Sequence, residues 1–240
     1  MVAGRQTQGR GRGGNIWMSP LGCLMFSTQV HVKPDEVLFS RPGIAMTMGA
    51  LAVVQAAHQT TGVKLSIKWP NDIWLEPQGA KIKGEGDVQP VKMGGALVTY
   101  GQENATGTSK DLVMVLGVGL NLDNASPTRS LNNIAEEEDG RRVAREELVA
   151  SVLNCFEKLL DLIESGEWDE AKEQYYEAWV HTNQKVTVVD EERNEQNVTI
   201  VGIDNFANLE VDNGVKVYTV TNDGNTFDKM AGLITPKARM

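Results

Sequence analysis

The chain has 240 residues, 41% hydrophobic and 23% charged, which suits one large domain plus a small one whose cores need no covalent staples. Its net charge of −9 runs against a general nucleic-acid binder, which carries the opposite sign. Apolar runs fall short of the roughly 18 residues that span a bilayer, and there is no apolar signal-peptide core. The two cysteines, Cys23 and Cys155, lack a CxxC spacing and read as reduced, small hydrophobes in a cytosolic setting. His31, His58 and His181 are scattered, so no metal-ligand cluster is expected.

The start is basic: Arg5, Arg10, Arg12 and Lys33 all precede the first acidic residue, Asp35. On composition alone this is also the texture of an organelle transit peptide. Leu21–Val32 is apolar and β-rich, a candidate central strand. Ser40-Arg41-Pro42 introduces a helix with Ile44, Met48, Leu51 and Gln55 at helical spacing, and Gly62 ends it. Val63–Trp69 alternates as a strand should, and Pro70-Asn71-Asp72 turns at its end. Glu76–Val91, rich in Gly and Lys, reads as a surface loop. Gly95–Tyr100 and Leu112–Leu120 predict two strands of a hairpin joined by a polar loop. Glu136–Asp139 is a short acidic run with the look of a solvated surface.

Residues 141–164 give the clearest helix, with Leu148, Val152, Phe156, Leu159 and Ile163 in one stripe and Gly166 as its stop. A second helix carries Trp168, Ala171, Tyr175 and Trp179 on one face. From Lys185 four or five short strands follow, with hairpin signals at Asp212-Asn213-Gly214 and Asn222-Asp223-Gly224. The fold class is therefore α+β, a mixed sheet packed against helices over residues 1–183, followed by a small SH3-like β-barrel over 184–240.

Four segments carry chemistry. In Arg5–Trp17 (RQTQGRGRGGNIW), glycines let the backbone approach a ligand, and Arg10 and Arg12 can surround phosphate oxygens. Alone, this stretch also suits a flexible RGG-type RNA-binding tail. Trp17 and the apolar strand after it weaken that alternative. Lys68–Trp74 (KWPNDIW) ends a strand with polar groups at the sheet edge, where a plain turn would use the same residues. Lys92–Val98 (KMGGALV) places a lysine before two glycines and an apolar strand, so its ammonium can stand over a site the glycines leave open. The upstream Lys81–Gly84 (KIKG) competes, but runs into acidic residues. In Gly117–Leu122 (GVGLNL) the glycines suggest close packing, and Asn121 interrupts an apolar strand.

In this order the four segments resemble the biotin–protein ligase (holocarboxylase synthetase) family, strongly over residues 4 to about 125 and more loosely over the C-terminal strands. The resemblance implies a catalytic core related to lipoate ligases, with biotin and ATP as substrates and Mg²⁺ accompanying the nucleotide. It assigns Gln6 to the biotin ring. Gly9, Arg10, Gly11, Arg12 and Gly14 fall to the loop that closes over biotin and the adenylate. Lys92 falls to the biotin carboxylate and adenylate phosphate. Asn71 and Asp72 stand beside the site, and Trp17, Gly95 and Asn121 line or support it. Lys92, Arg12 and Asp72 are the expected catalytic residues, and no metal site is expected in the protein itself.

Biotin carboxyl carrier domains are the implied partners, in the cytoplasm, with neither nucleic acid nor membrane, and a homodimer stays open. The family's Ser-Thr-Asn segment, whose hydroxyls help hold biotin, is not found ahead of Arg5, so the catalytic domain is expected to be truncated at its N-terminus. That departure motivates one alternative, a non-catalytic biotin or adenylate binder. A lipoate-type ligase on the same fold is another, against which the GRGRGG and KWPND segments speak.

Overall fold

The structure, a computed structural model, describes residues 1–76, 90–102, 112–126, 129–190, 192–221, 225–228 and 232–236. The first part of the chain forms β1 (Val2–Ala3), β2 (Gln6–Arg10), β3 (Ile16–Ser19) and β4 (Leu24–Val32). The one-turn α1 (Val37–Ser40) and the long α2 (Gly43–Thr61) follow, then β5 (Ser66–Lys68), β6 (Asp72–Leu75), β7 (Val91–Gln102) and β8 (Leu112–Leu120). Next come α3 (Leu131–Asp139), α4 (Arg145–Glu164) and α5 (Trp168–Ala178). Six short strands close the chain: β9 (Lys185–Val189), β10 (Glu195–Ile203), β11 (Leu209–Asp212), β12 (Val217–Val220), β13 (Asn225–Asp228) and β14 (Leu233–Pro236).

The first sheet has the order β1-β4-β8-β7-β6-β5. The expected hairpin is present: β7 and β8 run antiparallel from Gly94 opposite Leu120 to Gln102 opposite Leu112. Alternation gives β8 two different faces. Met114, Leu116, Val118 and Leu120 are buried in the core, while Val115, Gly117 and Gly119 are among the residues that line a cavity on the opposite side. On the core side lies α2, buried through most of its length and not along a single stripe. It is covered by the sheet on one side and by α4 and α5 on the other, so only its last turn, where His58 and Gln59 are exposed, needs to be polar. Gly49 makes the close approach possible: a Cβ there would stand 2.7 Å from the Leu116 side chain. Gly62 ends the helix at φ 79°, in the left-handed region that suits glycine.

Three expectations need adjustment. Val63–Trp69 pairs as a strand only over Ser66–Lys68, although Val63, Leu65, Ile67 and Trp69 are all buried. The helix expected from residue 141 begins at Arg145. Glu136–Asp139 is exposed, as read from the sequence, and forms the last turn of α3, whose Leu131, Ile134 and Ala135 are buried in the core. The second sheet, in the order β12-β11-β10-β9-β14-β13, has six strands where four or five were expected. Its Asp212–Gly214 turn forms as read, with Gly214 at φ 83° and its N–H donating to Asp212 Oδ1 at 2.8 Å. The Asn222–Gly224 turn, the KIKG segment and most of the Glu76–Val91 loop lie outside the described residues.

Candidate active site

β2 and β3 form a separate two-stranded arm that stands over the open face of the first sheet. The arm is built from the glycine-rich segment, which pairs as a hairpin with Gly9 opposite Trp17 and Arg10 opposite Ile16. Gly9 is buried and carries no side chain for a steric reason: a Cβ there would stand 2.5 Å from the Trp17 carbonyl oxygen. The tip closes with Gly11 N–H donating to Asn15 O at 2.7 Å, and Gly13 and Gly14 take positive φ. Between arm and sheet lies a cavity of about 540 Å³, within the range of small-molecule and cofactor sites.

Trp17 reaches from the arm to the sheet. Its indole lies over Gly119, and a Cβ at that position would stand 2.7 Å from Trp17 Nε1. The glycine of the G-V-G-L-N segment is thus cleared for an aromatic ring. Trp17 Nε1–H is buried and finds no acceptor among the described residues, so the cavity holds a donor for an occupant to meet.

The charged end lies on the sheet. Asp72 opens β6 opposite Gly95 of β7, where a Cβ would stand 3.2 Å from Asn71 O. Lys92 Nζ donates to Asp72 Oδ1 at 2.6 Å, and the same ammonium is 5.9 Å from the Trp17 ring centroid. The Lys92 and Asp72 side chains are 40% and 23% exposed, so the pair is open to solvent and to ligands. Asn71 is buried and fixes the turn: its Nδ2 donates to Ala96 O at 2.6 Å, and Ala96 N–H donates back to Asn71 O at 3.0 Å.

Residues 1–119 match the biotin/lipoate A/B protein ligase family. Over 98% of its length the chain is 33% identical to biotin–protein ligase 2 of Arabidopsis thaliana, covering 69% of that protein. The chain belongs to the biotin–protein ligase family. It is also 32% identical, over its whole length, to the biotin–protein ligase of Homo sapiens, of which it spans 32%. The fold agrees with that of the biotin protein ligase from Aquifex aeolicus in complex with biotin and ATP. The TM-score is 0.68 at 23% identity, covering 92% of this chain and 84% of that one.

Against the residues singled out from the sequence of this biotin–protein ligase homologue, the structure sorts cleanly. Gln6, Arg10, Gly11, Arg12, Trp17, Asn71, Asp72, Lys92 and Gly95 all line the one cavity. Gly9 and Gly14 shape the arm without lining it. Asn121 lies outside the cavity: the chain leaves β8 there, and its buried amide oxygen accepts from Cys23 Sγ at 3.4 Å. Its role is support, tying the sheet to Cys23 and, through its carbonyl, to Leu131 N–H at 2.8 Å. Burial pushes the Cys23 thiol up, partly opposed by Arg145.

Lys68 and Phe227 are among the lining residues to which the sequence reading gave no role. Lys68 belongs to the KWPND segment but was given no role; its Nζ lies 5.8 Å from the Trp74 ring centroid and 5.7 Å from that of Phe227. Phe227 comes from β13, and nothing local marks it for a site more than a hundred residues upstream.

Proposed function

We propose that the chain is the catalytic part of a biotin–protein ligase. It joins biotin's carboxylate to the α-phosphate of ATP, releases pyrophosphate, and passes the biotinyl group from biotinyl-5′-AMP to a lysine amine of a carrier protein. The observation that carries the reading is the convergence of Lys92, Asp72, Trp17 and the Arg10–Arg12 loop on one cavity.

Carboxylate and phosphate are both anionic, so their approach in a closed site is repulsive unless fixed cations compensate. Lys92 is a compact charge suited to the oxygens between the two reactants, and Arg12 is a planar fork suited to phosphate. Gln6, on the arm, serves the biotin ring. Among the described residues no three His, Cys, Asp or Glu side chains group to hold a metal. Mg²⁺ would arrive with the nucleotide, held mainly by its phosphates and water. The glycine-rich arm covers the mixed anhydride against hydrolysis. Asp72 orients Lys92 and then the attacking amine, and accepts the amine's proton as AMP leaves.

Biotin carboxyl carrier domains as acceptors and a cytoplasmic setting complete the proposal. Among the described residues no helix is long and apolar enough to cross a membrane. The test is biotin-dependent exchange of pyrophosphate into ATP, followed by transfer of labelled biotin to an apo carrier domain, with lipoate offered in parallel. Exchange and transfer with biotin are expected. Biotin binding without exchange would leave a non-catalytic binder, and preference for lipoate would move the chain to another branch of the family.

A further inference from the structure

Three residues before Asp72, the chain is held from an unexpected quarter. Trp69 is 1% exposed, and its backbone N–H donates to Nε2 of His181 at 2.9 Å. β5 is an edge strand of the first sheet, and its outer edge is continued by the segment after α5. Ile67 forms a parallel bridge with Trp179, and Val180 N–H donates to Ile67 O at 3.1 Å. The next donor on that edge is Trp69 N–H. The chain beyond Val180 is already turning toward β9, with Gln184 N–H donating to His181 O at 3.0 Å. The imidazole supplies the acceptor for Trp69 instead.

The ring is itself fixed. His181 is fully buried, and Nε2 as an acceptor leaves the proton on Nδ1, which donates to Gln184 Oε1 at 2.7 Å. Its face meets Phe227, centroids 4.8 Å apart, and Trp179 stands edge-on at 5.6 Å. One ring therefore backs two parts of the cavity: the turn that presents Asn71 and Asp72, and the Phe227 wall.

We propose that His181 is a positioning residue for adenylate formation: by accepting from Trp69 it sets the turn that aims Asp72 and the lysine Asp72 holds. The inference rests on the ligase reading above and extends it to a residue outside the cavity. A misplacement of about 1 Å at a reacting group can cost on the order of 100-fold in rate.

Two amide variants separate positioning from packing. His181→Gln keeps an acceptor near the Nε2 position, whereas His181→Asn is shorter, reaches only toward Gln184, and leaves Trp69 N–H unpaired. In biotin-dependent pyrophosphate exchange, the Gln variant should stay near wild type. The Asn variant should lose roughly 10- to 100-fold in kcat, with the KM for biotin, set on the arm, almost unchanged. Should the Asn variant not fold, Gln184→Leu, which removes the acceptor that fixes the tautomer, should show the same fall in kcat. In ¹⁵N-labelled wild-type protein, a scalar coupling across the hydrogen bond should connect the Trp69 amide nitrogen with His181 Nε2. Absence of that coupling, or equal kcat in the Gln and Asn variants of an exchanging enzyme, overturns the positioning role alone. A wild-type chain that shows the coupling but no exchange overturns the ligase reading, and the positioning role of His181 with it.

Discussion

Gly119→Ala is the sharpest test of how the cavity is built. Gly119 pairs with Gly95 across the hairpin, on the face of the sheet that the cavity occupies. A methyl group there would stand 2.7 Å from Trp17 Nε1, 3.1 Å from Cε2 and 3.4 Å from Cδ1. Ordinary contact is about 3.5–4.0 Å, so the rigid indole has to retreat by most of an ångström. Overpacking of this kind costs about 1–3 kcal/mol, offset by about 0.5–1 kcal/mol from removing a glycine within a strand. The net loss of about 0–2.5 kcal/mol should lower Tm by less than about 10 °C for a chain of this size. Activity should suffer more, because Trp17 spans the cavity beside Lys92: a fall in kcat/KM of up to about 100-fold is expected in pyrophosphate exchange. Gly117→Ala is the internal control. It lies on the same strand and face, yet its Cβ would meet only Leu97 O, at 3.8 Å, so Trp17 keeps its place and Tm should not fall. Unchanged kcat/KM in Gly119→Ala, or an equal fall in Tm in Gly117→Ala, would refute the steric argument.

Lys92→Met, which keeps the stem and removes the charge, should lower the exchange rate about 100- to 1000-fold, the cost of one transition-state donor. Asp72→Asn should slow both exchange and transfer, and unchanged transfer from preformed biotinyl-5′-AMP would remove Asp72 from the amine's proton transfer. Tyr176→Phe deletes the hydroxyl that accepts from Ile203 N–H at 2.9 Å and joins α5 to the second sheet; thermal melts should show a loss of about 1–3 kcal/mol. Burial pushes the Cys23 and Cys155 thiols up, so the unfolded chain loses these protons first as pH rises. Stability is untouched below the ordinary thiol value of about 8.5 and falls above it toward the folded values. Alkaline melts should show that decline, reduced in a Cys23→Ala variant, and both thiols should alkylate slowly until the protein unfolds.

The sequence was most legible where one local rule settled the outcome. Gly62 ends α2, the stripe of Leu148, Val152 and Phe156 is the buried face of α4, and the Gly95–Tyr100 and Leu112–Leu120 segments pair as a hairpin. Much of the candidate site's lining was legible because it lies on short segments with unusual residue patterns, although Asn121, Gly9 and Gly14 fall outside the cavity. Contacts between distant residues were not legible. His181 reads as a scattered histidine until Trp69 is seen to need an acceptor, and Phe227 as a strand residue until the second sheet places it on the cavity. α3 was hidden by its own exposed acids. What anchors it is Asn132, whose amide exchanges two hydrogen bonds with the backbone of Val143, at 3.2 and 3.0 Å. A buried asparagine mimicking a peptide group carries no periodicity to detect.

The Lys92–Asp72 pair also explains how a cation can wait in this site without obstructing it. An unpaired ammonium between an indole and a sheet would be costly to keep there, and a fully buried ion pair would be costly to part, about 3–5 kcal/mol on losing a partner. This pair is 2.6 Å long but 40% and 23% exposed, and partly solvated pairs contribute about 0–1 kcal/mol. Lys92 is therefore held in direction but weakly in energy. In the proposed reaction the arriving biotin carboxylate and triphosphate, together more highly charged than one carboxylate, can take the ammonium with little opposing cost, and Asp72 is released as the adenylate forms. The group that had oriented the lysine is then free for the incoming amine, in the order the two half-reactions require.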